Sequence, residues 1–162
     1  MDNAPQLIYW DSCVIISYFN NEPERITTIE AILEDVSQSG GKKKIVTSTV
    51  AKVEVAFVSA EKTELRLTDE AEKIIDDFWA DDSVLELIEF HDDIAKLARG
   101  LIRDGIPRGW KTLRPMDAIH LATAKWIEAS ELHTYNLQDF ERYQPQVGIK
   151  ICEPYAIQPK LF

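Results

Sequence analysis

Short β-rich runs alternate with segments of helical periodicity along this sequence, and the alternation limits the fold more than any other feature. The β-rich runs predict five strands, over residues 6–10, 43–48, 83–90, 131–136 and 147–152. The segments between them carry apolar residues at the spacing of amphipathic helices. Parallel strands need long crossover connections of this kind. The sequence therefore predicts an α/β fold of three layers, α/β/α, around a central parallel sheet of about five strands.

Three amphipathic helices are indicated by apolar stripes, within residues 29–36, 71–79 and 94–102. Thr68, followed by two acidic residues, has the composition of a helix start, and Gly105 has that of a helix stop. We find no internal repeat and no linker. A chain of 162 residues with 45% hydrophobic content can bury a core of its own, so we expect a single domain, residues 1–162.

Features of export or membrane insertion are not expected in this chain. No apolar run approaches the roughly 18 residues that a membrane span needs. The first ten residues, MDNAPQLIYW, lack the basic flank and apolar stretch of a signal peptide. Cys13 and Cys152 lie in apolar surroundings without a CxxC spacing, so we expect buried free thiols and no zinc site. The sequence thus favours a cytoplasmic protein.

The formal net charge of −10 is concentrated in one stretch of the chain. Residues 61–93 hold 13 of the 28 acids and 3 of the 18 bases, so the rest of the chain is balanced. Residues 99–114 carry five bases against one acid, which predicts a local positive surface that could meet nucleic-acid phosphates. Arg108, Lys111 and Arg114 are the candidates for that contact; an ordinary solvated surface is the alternative interpretation.

Polar residues follow the first and fourth predicted strands, where open α/β sheets bind their ligands. Asp11 and Ser12 come directly after the first strand, and Asn136 and Asp139 follow the fourth. Either Asp11 or Ser12 is sufficient to cap the next helix, which leaves Asp11 available for a ligand. A local turn closed by an Asn or Asp side chain is the alternative interpretation of Asn136 and Asp139.

A glutamate interrupts the apolar stripe of a helix that we expect to begin near Ser48 and to run through residues 49–60. The stripe positions are Val50, Val53, Glu54, Phe57 and Val58. A buried carboxylate needs a cation, a metal or strong hydrogen bonds, because its desolvation is otherwise costly. Glu54 is therefore a candidate site residue. At the edge of the stripe it would instead reach water or pair with an arginine.

Asp117 lies in the first turn of a helix predicted within residues 114–127, two positions after Pro115. The segment around it is apolar, so a carboxylate at this place requires an explanation. An acidic residue in a first turn interacts favourably with the helix dipole, and proline suits the first helical position. This local explanation accounts for Asp117 when the residue is considered alone.

Considered together, the acidic candidates predict a metal site. Asp11, Glu54, Asp117 and the pair Asn136 and Asp139 are all expected at one end of the sheet. Carboxylates brought this close repel one another unless a divalent cation neutralises them. Their hard oxygen atoms suit Mg²⁺ or Mn²⁺.

Four segments, in this order, resemble the acidic motifs of PIN-domain ribonucleases, in particular the VapC-type toxins of bacterial toxin–antitoxin systems. They are LIYWDSCVIISYF, STVAKVEVAF with Glu54, PMDAIHLATA and HTYNLQDFER. The resemblance spans residues 7–152. Asn136 occupies a place where many members of the family carry aspartate. Either Asp139 supplies the fourth acid, or the site works with three carboxylates and an amide.

The resemblance implies a PIN-like fold and a ribonuclease that uses Mg²⁺ or Mn²⁺. Asp11 and Asp117 then bind the metal most directly. Glu54, with Asn136 or Asp139, binds a second ion or orders its waters. The metal activates water for in-line attack on an RNA phosphodiester, and no covalent intermediate is expected.

The same resemblance implies further roles and partners. Ser12 orients the attacking water or the phosphate, and RNA is the substrate that Arg108, Lys111 and Arg114 would contact. A homodimer is expected. So is a cognate antitoxin protein that blocks the acidic pocket.

Three other classes compete with this interpretation. A phosphatase of the haloacid-dehalogenase type needs a second aspartate two residues after the first, where this chain has Cys13. A receiver domain needs an acidic pair and a late lysine that the predicted strand ends lack. A PIN-like domain that binds RNA or a protein without cleaving is favoured by Asn136. The presence of Asp11, Glu54 and Asp117 disfavours it.

Overall fold

The computed structural model of the protein describes residues 4–157, and five β-strands form its central layer. The strands are β1 (Gln6–Trp10), β2 (Lys43–Ser48), β3 (Leu85–Ile88), β4 (Glu131–His133) and β5 (Lys150–Cys152). They pair in parallel in the order β3-β2-β1-β4-β5, so β1 is central. This sheet confirms the predicted fold class.

Helices cover both faces of the sheet and complete the α/β/α arrangement. They are α1 (Ser12–Phe19), α2 (Ile26–Gln38), α3 (Ala51–Glu54), α4 (Ser59–Glu64), α5 (Asp69–Ala80), α6 (Asp92–Gly105), α7 (Pro115–Trp126), α8 (Leu137–Phe140) and α9 (Gln144–Val147). A 3-10 turn, Glu141–Tyr143, joins α8 to α9. None of the helices described over residues 4–157 has the length and apolar content that crossing a membrane requires.

Successive side chains of β1 point to opposite faces of the sheet and enter two different hydrophobic cores. Tyr9 packs with residues of α6 and α7, among them Ile94 and Leu121. Trp10 packs on the other face with residues of α1 and α2, among them Ile29. Burial on both faces explains why β1 reads as a continuous apolar run rather than an alternating one.

The first two strands have their predicted bounds, and the other three are shorter than predicted. β3 starts later because Asp81 accepts hydrogen bonds from the backbone and the hydroxyl of Ser83, which form a turn. β4 ends earlier because the hydroxyl of Thr134 accepts a hydrogen bond from the N–H of Asn136, which turns the chain. β5 starts later because the predicted range begins in α9.

The helix predicted over residues 49–60 is wrong, because α3 ends at Glu54 and α4 begins at residue 59. Val55 leaves the helical conformation, and its side chain is buried. Val53 and Phe57 of the predicted stripe are 73% and 43% exposed. The argument that placed Glu54 in a core stripe therefore fails, and its place in the site depends on other contacts.

The predicted start of α5 and the predicted end of α6 are confirmed. The hydroxyl of Thr68 accepts a hydrogen bond from the N–H of Ala71 at 3.2 Å, which caps α5. α6 ends at Gly105. A Cβ at Gly105 would lie 2.5 Å from the hydroxyl oxygen of Tyr143, which is buried and packs edge-on against Trp110. Close packing therefore gives Gly105 a second role besides ending the helix.

A polar cluster, buried at Glu131 and His133 and half-buried at Cys152, lies on the Trp10 face of β4 and β5. Its members Glu131, His133 and Cys152 have possible metal-ligating atoms within 4.8 Å of one another, a grouping created by strand register rather than by sequence spacing. The indole N–H of Trp10 donates to Nδ1 of His133 at 3.2 Å. The proton of the neutral ring is then on Nε2, which donates to Glu131 at 2.7 Å. Because that nitrogen has no lone pair to offer a metal, we interpret the cluster as a hydrogen-bond network. The hydroxyl of Tyr155 extends it to the second oxygen of Glu131 at 2.9 Å.

Gly105→Ala is expected to destabilise the protein by about 1–3 kcal/mol, because the added methyl group overpacks the site of Tyr143. Urea denaturation followed by circular dichroism measures the effect. Gly100→Ala in the same helix is the matched control, since nothing lies within 4 Å of its added Cβ. The control should gain about 0.5–1 kcal/mol from helix propensity. Equal effects of the two substitutions would contradict the packing argument.

His133→Gln is expected to change how stability depends on pH. Burial lowers the pKa of His133 below 6.5, and its hydrogen bond to Glu131 offsets part of that shift. The unfolded chain therefore takes up the proton first. The contribution of neutral His133 to the free energy of unfolding is fully present above about pH 6.5. It is lost as the pH falls towards the pKa of His133 in the folded protein. Urea melts of both proteins between about pH 8 and pH 5 should show the advantage of the wild type shrinking. A difference that does not vary with pH would contradict this prediction.

Candidate functional site

The candidate site lies at the carboxyl ends of β1 and β4, the two neighbouring strands at the centre of the sheet. The connections after β1 and β4 run to opposite sides, and open α/β sheets bind ligands at such a point. Asp11 follows β1 directly, and its N–H donates to the carbonyl oxygen of His133 at 3.1 Å. Its backbone is therefore fixed between the ends of the two central strands.

The carboxylate of Asp11 is buried and held by three uncharged donors. The hydroxyl of Thr134 and the thiol of Cys13 donate to Oδ2 at 2.9 and 3.0 Å, and the hydroxyl of Ser12 donates to Oδ1 at 3.4 Å. Burial and the negative charge of Asp11 raise the pKa of Cys13 to about 12, so the thiol keeps its proton. Cys13 and Cys152 are free but half-buried, less buried than expected. Asp11 precedes α1, but its side chain makes no capping hydrogen bond to that helix. The carboxylate is therefore available for a ligand.

A buried histidine that the sequence analysis did not single out lies between two predicted site residues. Nε2 of His120 is 2.5 Å from Oε1 of Glu54 and 3.6 Å from Oδ1 of Asp11. Nδ1 of His120 is 2.7 Å from the hydroxyl oxygen of Tyr9. That oxygen also accepts a hydrogen bond from the N–H of Ser48 at 3.2 Å. Glu54 therefore reaches the site through His120 and not through a buried helix face.

The pKa values of Glu54 and His120 shift in the directions expected of an ion pair. Burial alone would raise the pKa of Glu54, but the hydrogen bond and charge of His120 bring it below its ordinary value. Burial alone would lower the pKa of His120, but Glu54 and Asp11 raise it. The ionised carboxylate and the ring N–H thus stabilise each other.

Asp117 is buried in the first turn of α7, which begins at Pro115 as predicted. Nε of Arg114 donates to its Oδ2 at 2.9 Å. The pKa of Asp117 is nevertheless raised, because burial and the negative charge of Asp11 outweigh the effect of Arg114. Asp11 is therefore close enough for its charge to affect the titration of Asp117.

Asn136 and Asp139 form a hydrogen-bonded pair at the rim of the site. Nδ2 of Asn136 donates to Oδ2 of Asp139 at 3.2 Å, and Nζ of Lys111 lies 3.2 Å from both carboxylate oxygens. Burial would raise the pKa of Asp139, but Asn136 and Lys111 hold it below its ordinary value. Asp139 and Asp117 line the same small pocket.

The sequence predicts a divalent cation as the group that neutralises these acids, and in the structure side chains of the protein itself also contact three of them. His120 contacts Glu54, Arg114 contacts Asp117, and Lys111 contacts Asp139. These cations come from the segment before α7 and from α7 itself, far from Asp11 and Glu54 in the sequence. Charge repulsion within the site is therefore reduced without a bound ion.

The candidate RNA-binding residues divide into two groups. Lys111 and Arg114 pair with acids of the site, whereas the guanidinium of Arg108 lies 5.2 Å from the ring centroid of Trp110. The guanidinium of Arg142, a residue that was not predicted from the sequence, also lies near Trp110, at 5.7 Å from its ring centroid. A basic and aromatic surface thus adjoins the acidic site.

Sequence signals existed for His120 and for the pair of Arg114 and Asp117, which are three residues apart. His120 follows Asp117 by three residues on α7, so the two share one helix face. The predicted ligands Asp11, Glu54 and Asp117 do not form a compact trio. In the described part of the chain, the trio of possible ligands within 4.8 Å is the one around His133, on the opposite face of the sheet. His120 occupies the space between Asp11 and Glu54 instead.

Solved structures with a similar fold include components of toxin–antitoxin systems. VapBC2 from Rickettsia felis, bound to a promoter DNA fragment, has a TM-score of 0.63 and 15% identity over 93% of this chain and 99% of that chain. DNA-bound VapBC from Salmonella typhimurium has a TM-score of 0.61 and 23% identity over 90% and 96%. VapC20 from Mycobacterium tuberculosis, described as a sarcin-ricin loop cleaving toxin, has a TM-score of 0.60 and 12% identity over 80% and 89%. These similarities establish the fold.

The family is established by the sequence itself. No curated protein sequence matches this chain. The PIN domain family matches residues 8–144, which include the site residues from Asp11 to Asp139. The resemblance seen in the four acidic motifs is thereby confirmed, and the chain belongs to the PIN domain family.

Proposed function

We propose that this protein is a Mg²⁺- or Mn²⁺-dependent ribonuclease that hydrolyses RNA phosphodiesters and acts as the toxin of a toxin–antitoxin pair. The observation that carries the proposal is the position of Asp11, Glu54 and Asp117 at the carboxyl edge of the sheet, with His120 between the first two. Family membership supports it, because VapC-like PIN-domain toxins are nucleases in general.

The donor atoms of the site fit a hard divalent cation. Asp11 is 3% exposed, and uncharged groups donate its hydrogen bonds. Among residues 4–157, its ion-pair partner within 4.0 Å is His120, at 3.6 Å. A buried carboxylate that is this weakly compensated gains from a nearby cation. We therefore assign the ion to Asp11 and Asp117, with Glu54 as a further ligand, directly or through water.

The bound ion would supply an activated water and neutralise charge that develops on the phosphate. The protein's own residues hold the reacting groups in place. Thr134 and Cys13 fix Oδ2 of Asp11. Ser12 donates to Oδ1, and in this proposal it orients the water or the phosphate. Asn136 and Asp139 act together as the polar residues of the fourth acidic motif, since a hydrogen bond joins them.

The proposed partners follow from similar proteins. The Rickettsia felis and Salmonella typhimurium structures are VapBC assemblies, and their fold matches nearly the whole described chain. We propose that this protein likewise binds an antitoxin protein, which blocks the acidic site. A homodimer and action in the cytoplasm are parts of the same proposal.

Asp11→Asn and Asp117→Asn are expected to reduce Mn²⁺-dependent RNA cleavage by about 100-fold or more, since each substitution removes a charged metal ligand worth several kcal/mol in the transition state. Gel electrophoresis of total RNA, incubated with pure protein and either Mn²⁺ or EDTA, measures the cleavage. Circular dichroism melts verify that both variants are folded.

Asp104→Asn is the matched control, because Asp104 is an exposed acid near the end of α6. It should cleave as the wild type does. Cleavage that persists in EDTA or in Asp117→Asn would contradict the metal-dependent mechanism. A wild-type protein that binds RNA without cleaving it in Mn²⁺ would favour a PIN-like binding module instead.

Arg108→Ala is expected to weaken RNA binding and to reduce its salt dependence. The slope of log K against log salt is negative, and each lost phosphate contact reduces its magnitude by about 0.7 for single-stranded RNA. Fluorescence anisotropy of a labelled RNA in EDTA, over a range of KCl concentrations, measures the slope. Arg108 is preferable to Lys111 or Arg114, which also touch site acids. Lys73→Ala on the acidic helix α5 is the control, and an equal slope change there would contradict a specific role of Arg108.

A further inference from the structure

We infer that His120 is a positioning residue that fixes the carboxylate of Glu54 in the metal site, with Tyr9 as its support. The inference rests on the proposed function, because it gives Glu54 a part in metal binding. Its basis is a fully buried ring that contacts Tyr9 on one side and Glu54 on the other, at 2.7 and 2.5 Å.

The contact with Glu54 indicates that Nε2 of His120 carries a proton, because an ionised carboxylate can only accept a hydrogen bond. The hydroxyl oxygen of Tyr9 already accepts from the N–H of Ser48, so its own proton is available for Nδ1 of His120. Nε2 then carries a hydrogen and donates to Glu54. If the ring is doubly protonated, Nε2 is again a donor. In both states the ring presents an N–H to the glutamate.

Glu54 needs such a contact because its own helix holds it weakly. α3 has four residues, of which Ala51 is buried, and the chain leaves the helix at Val55. The side chain of Glu54 is 22% exposed and has a path to solvent. A free glutamate would lose rotamer entropy on binding an ion, and the N–H of His120 restrains it beforehand.

His120 also determines the spacing of two proposed ligands. Its Nε2 lies 2.5 Å from Oε1 of Glu54 and 3.6 Å from Oδ1 of Asp11. The two carboxylates come from different strand connections, and the ring is the group placed between them. Substitution by an apolar residue would leave Glu54 without this N–H and free to move away from Asp11, which Thr134, Cys13 and Ser12 hold in place.

The chain offers a matched control in His133. It is also buried, donates through Nε2 to a glutamate, Glu131, at 2.7 Å, and is supported by an aromatic residue of β1, Trp10. It lies on the opposite face of the sheet. A substitution at His133 therefore reproduces the loss of a buried histidine side chain, while the backbone carbonyl that accepts the N–H of Asp11 is retained.

The experiment is calorimetric titration of Mn²⁺ into the full chain. The proteins are wild type, Asp11→Asn, His120→Leu, His120→Gln, Tyr9→Phe and His133→Gln, and the thermal stability of each is recorded in EDTA. We expect His120→Leu to weaken Mn²⁺ binding by about 10–100-fold, the range for lost supports of metal ligands. His120→Gln should restore part of the affinity because its amide is a donor. Tyr9→Phe should show a smaller loss, and His133→Gln should lose stability but not affinity.

The outcomes separate this inference from the proposed function. Loss of binding in Asp11→Asn with wild-type affinity in His120→Leu would overturn the positioning role alone. Wild-type affinity in Asp11→Asn, or no Mn²⁺ binding by the wild type, would overturn the proposed metal site and the inference with it. Equal losses of affinity in His120→Leu and His133→Gln would reduce His120 to a structural residue. If His120→Leu does not fold, Tyr9→Phe decides, because it removes one oxygen atom, and unchanged affinity there would overturn the inference.

Discussion

The burial of carboxylates at the carboxyl edge of a parallel sheet is the constraint from which the rest of this site follows. A carboxylate that leaves water is costly unless hydrogen bonds or a cation compensate it. Asp11 and Asp117 are both buried, and each is compensated in a different way. Hydroxyl and thiol groups surround Asp11, whereas Arg114 contacts Asp117. Cys13 and Arg114 are close to their acids in the sequence, whereas the sheet topology brings Thr134 beside Asp11, so this last contact both stabilises the fold and shapes the site.

The cations that compensate the acids differ in how easily they can be separated from them. The side chains of Lys111 and Arg114 are 70% and 69% exposed, and ion pairs of this kind contribute little to stability. Both pairs can therefore be broken at small cost. His120 is fully buried, and turning it away from Glu54 would leave its N–H unpaired. The ion pairs of Lys111 and Arg114 at the rim of the site are therefore easily broken, whereas the contact between His120 and Glu54 in its interior is not.

The fold could be predicted from the sequence because hydrophobic patterning is a local property. The alternation of strands and helices gave the three layers, and the residues after the strands gave Asp11. The family resemblance, which the sequence match confirms, supported Glu54 and Asp117 as well. The break after α3 was missed because helical spacing alone cannot show that Val55, rather than Val53, is buried. The pair of Arg114 and Asp117 is three residues apart, so its spacing could have indicated it. The pairing of Lys111 with Asp139 was missed because it joins segments 28 residues apart. Strand order likewise depends on contacts between distant segments.

The adjacent aromatic residues Tyr9 and Trp10 each support one buried histidine, on opposite faces of the central strand. Apolar side chains alone fix the register of a strand weakly when both faces are buried, because a shift by one residue exchanges one hydrophobic surface for another. Here a shift by one residue in either direction would move the hydroxyl of Tyr9 away from His120 and the indole N–H of Trp10 away from His133. Both imidazole rings would lose their partners at once. The hydroxyl of Tyr9 and the indole N–H of Trp10 therefore fix the register of β1 against β2 and β4. The hydrophobicity of β1 alone would not fix it.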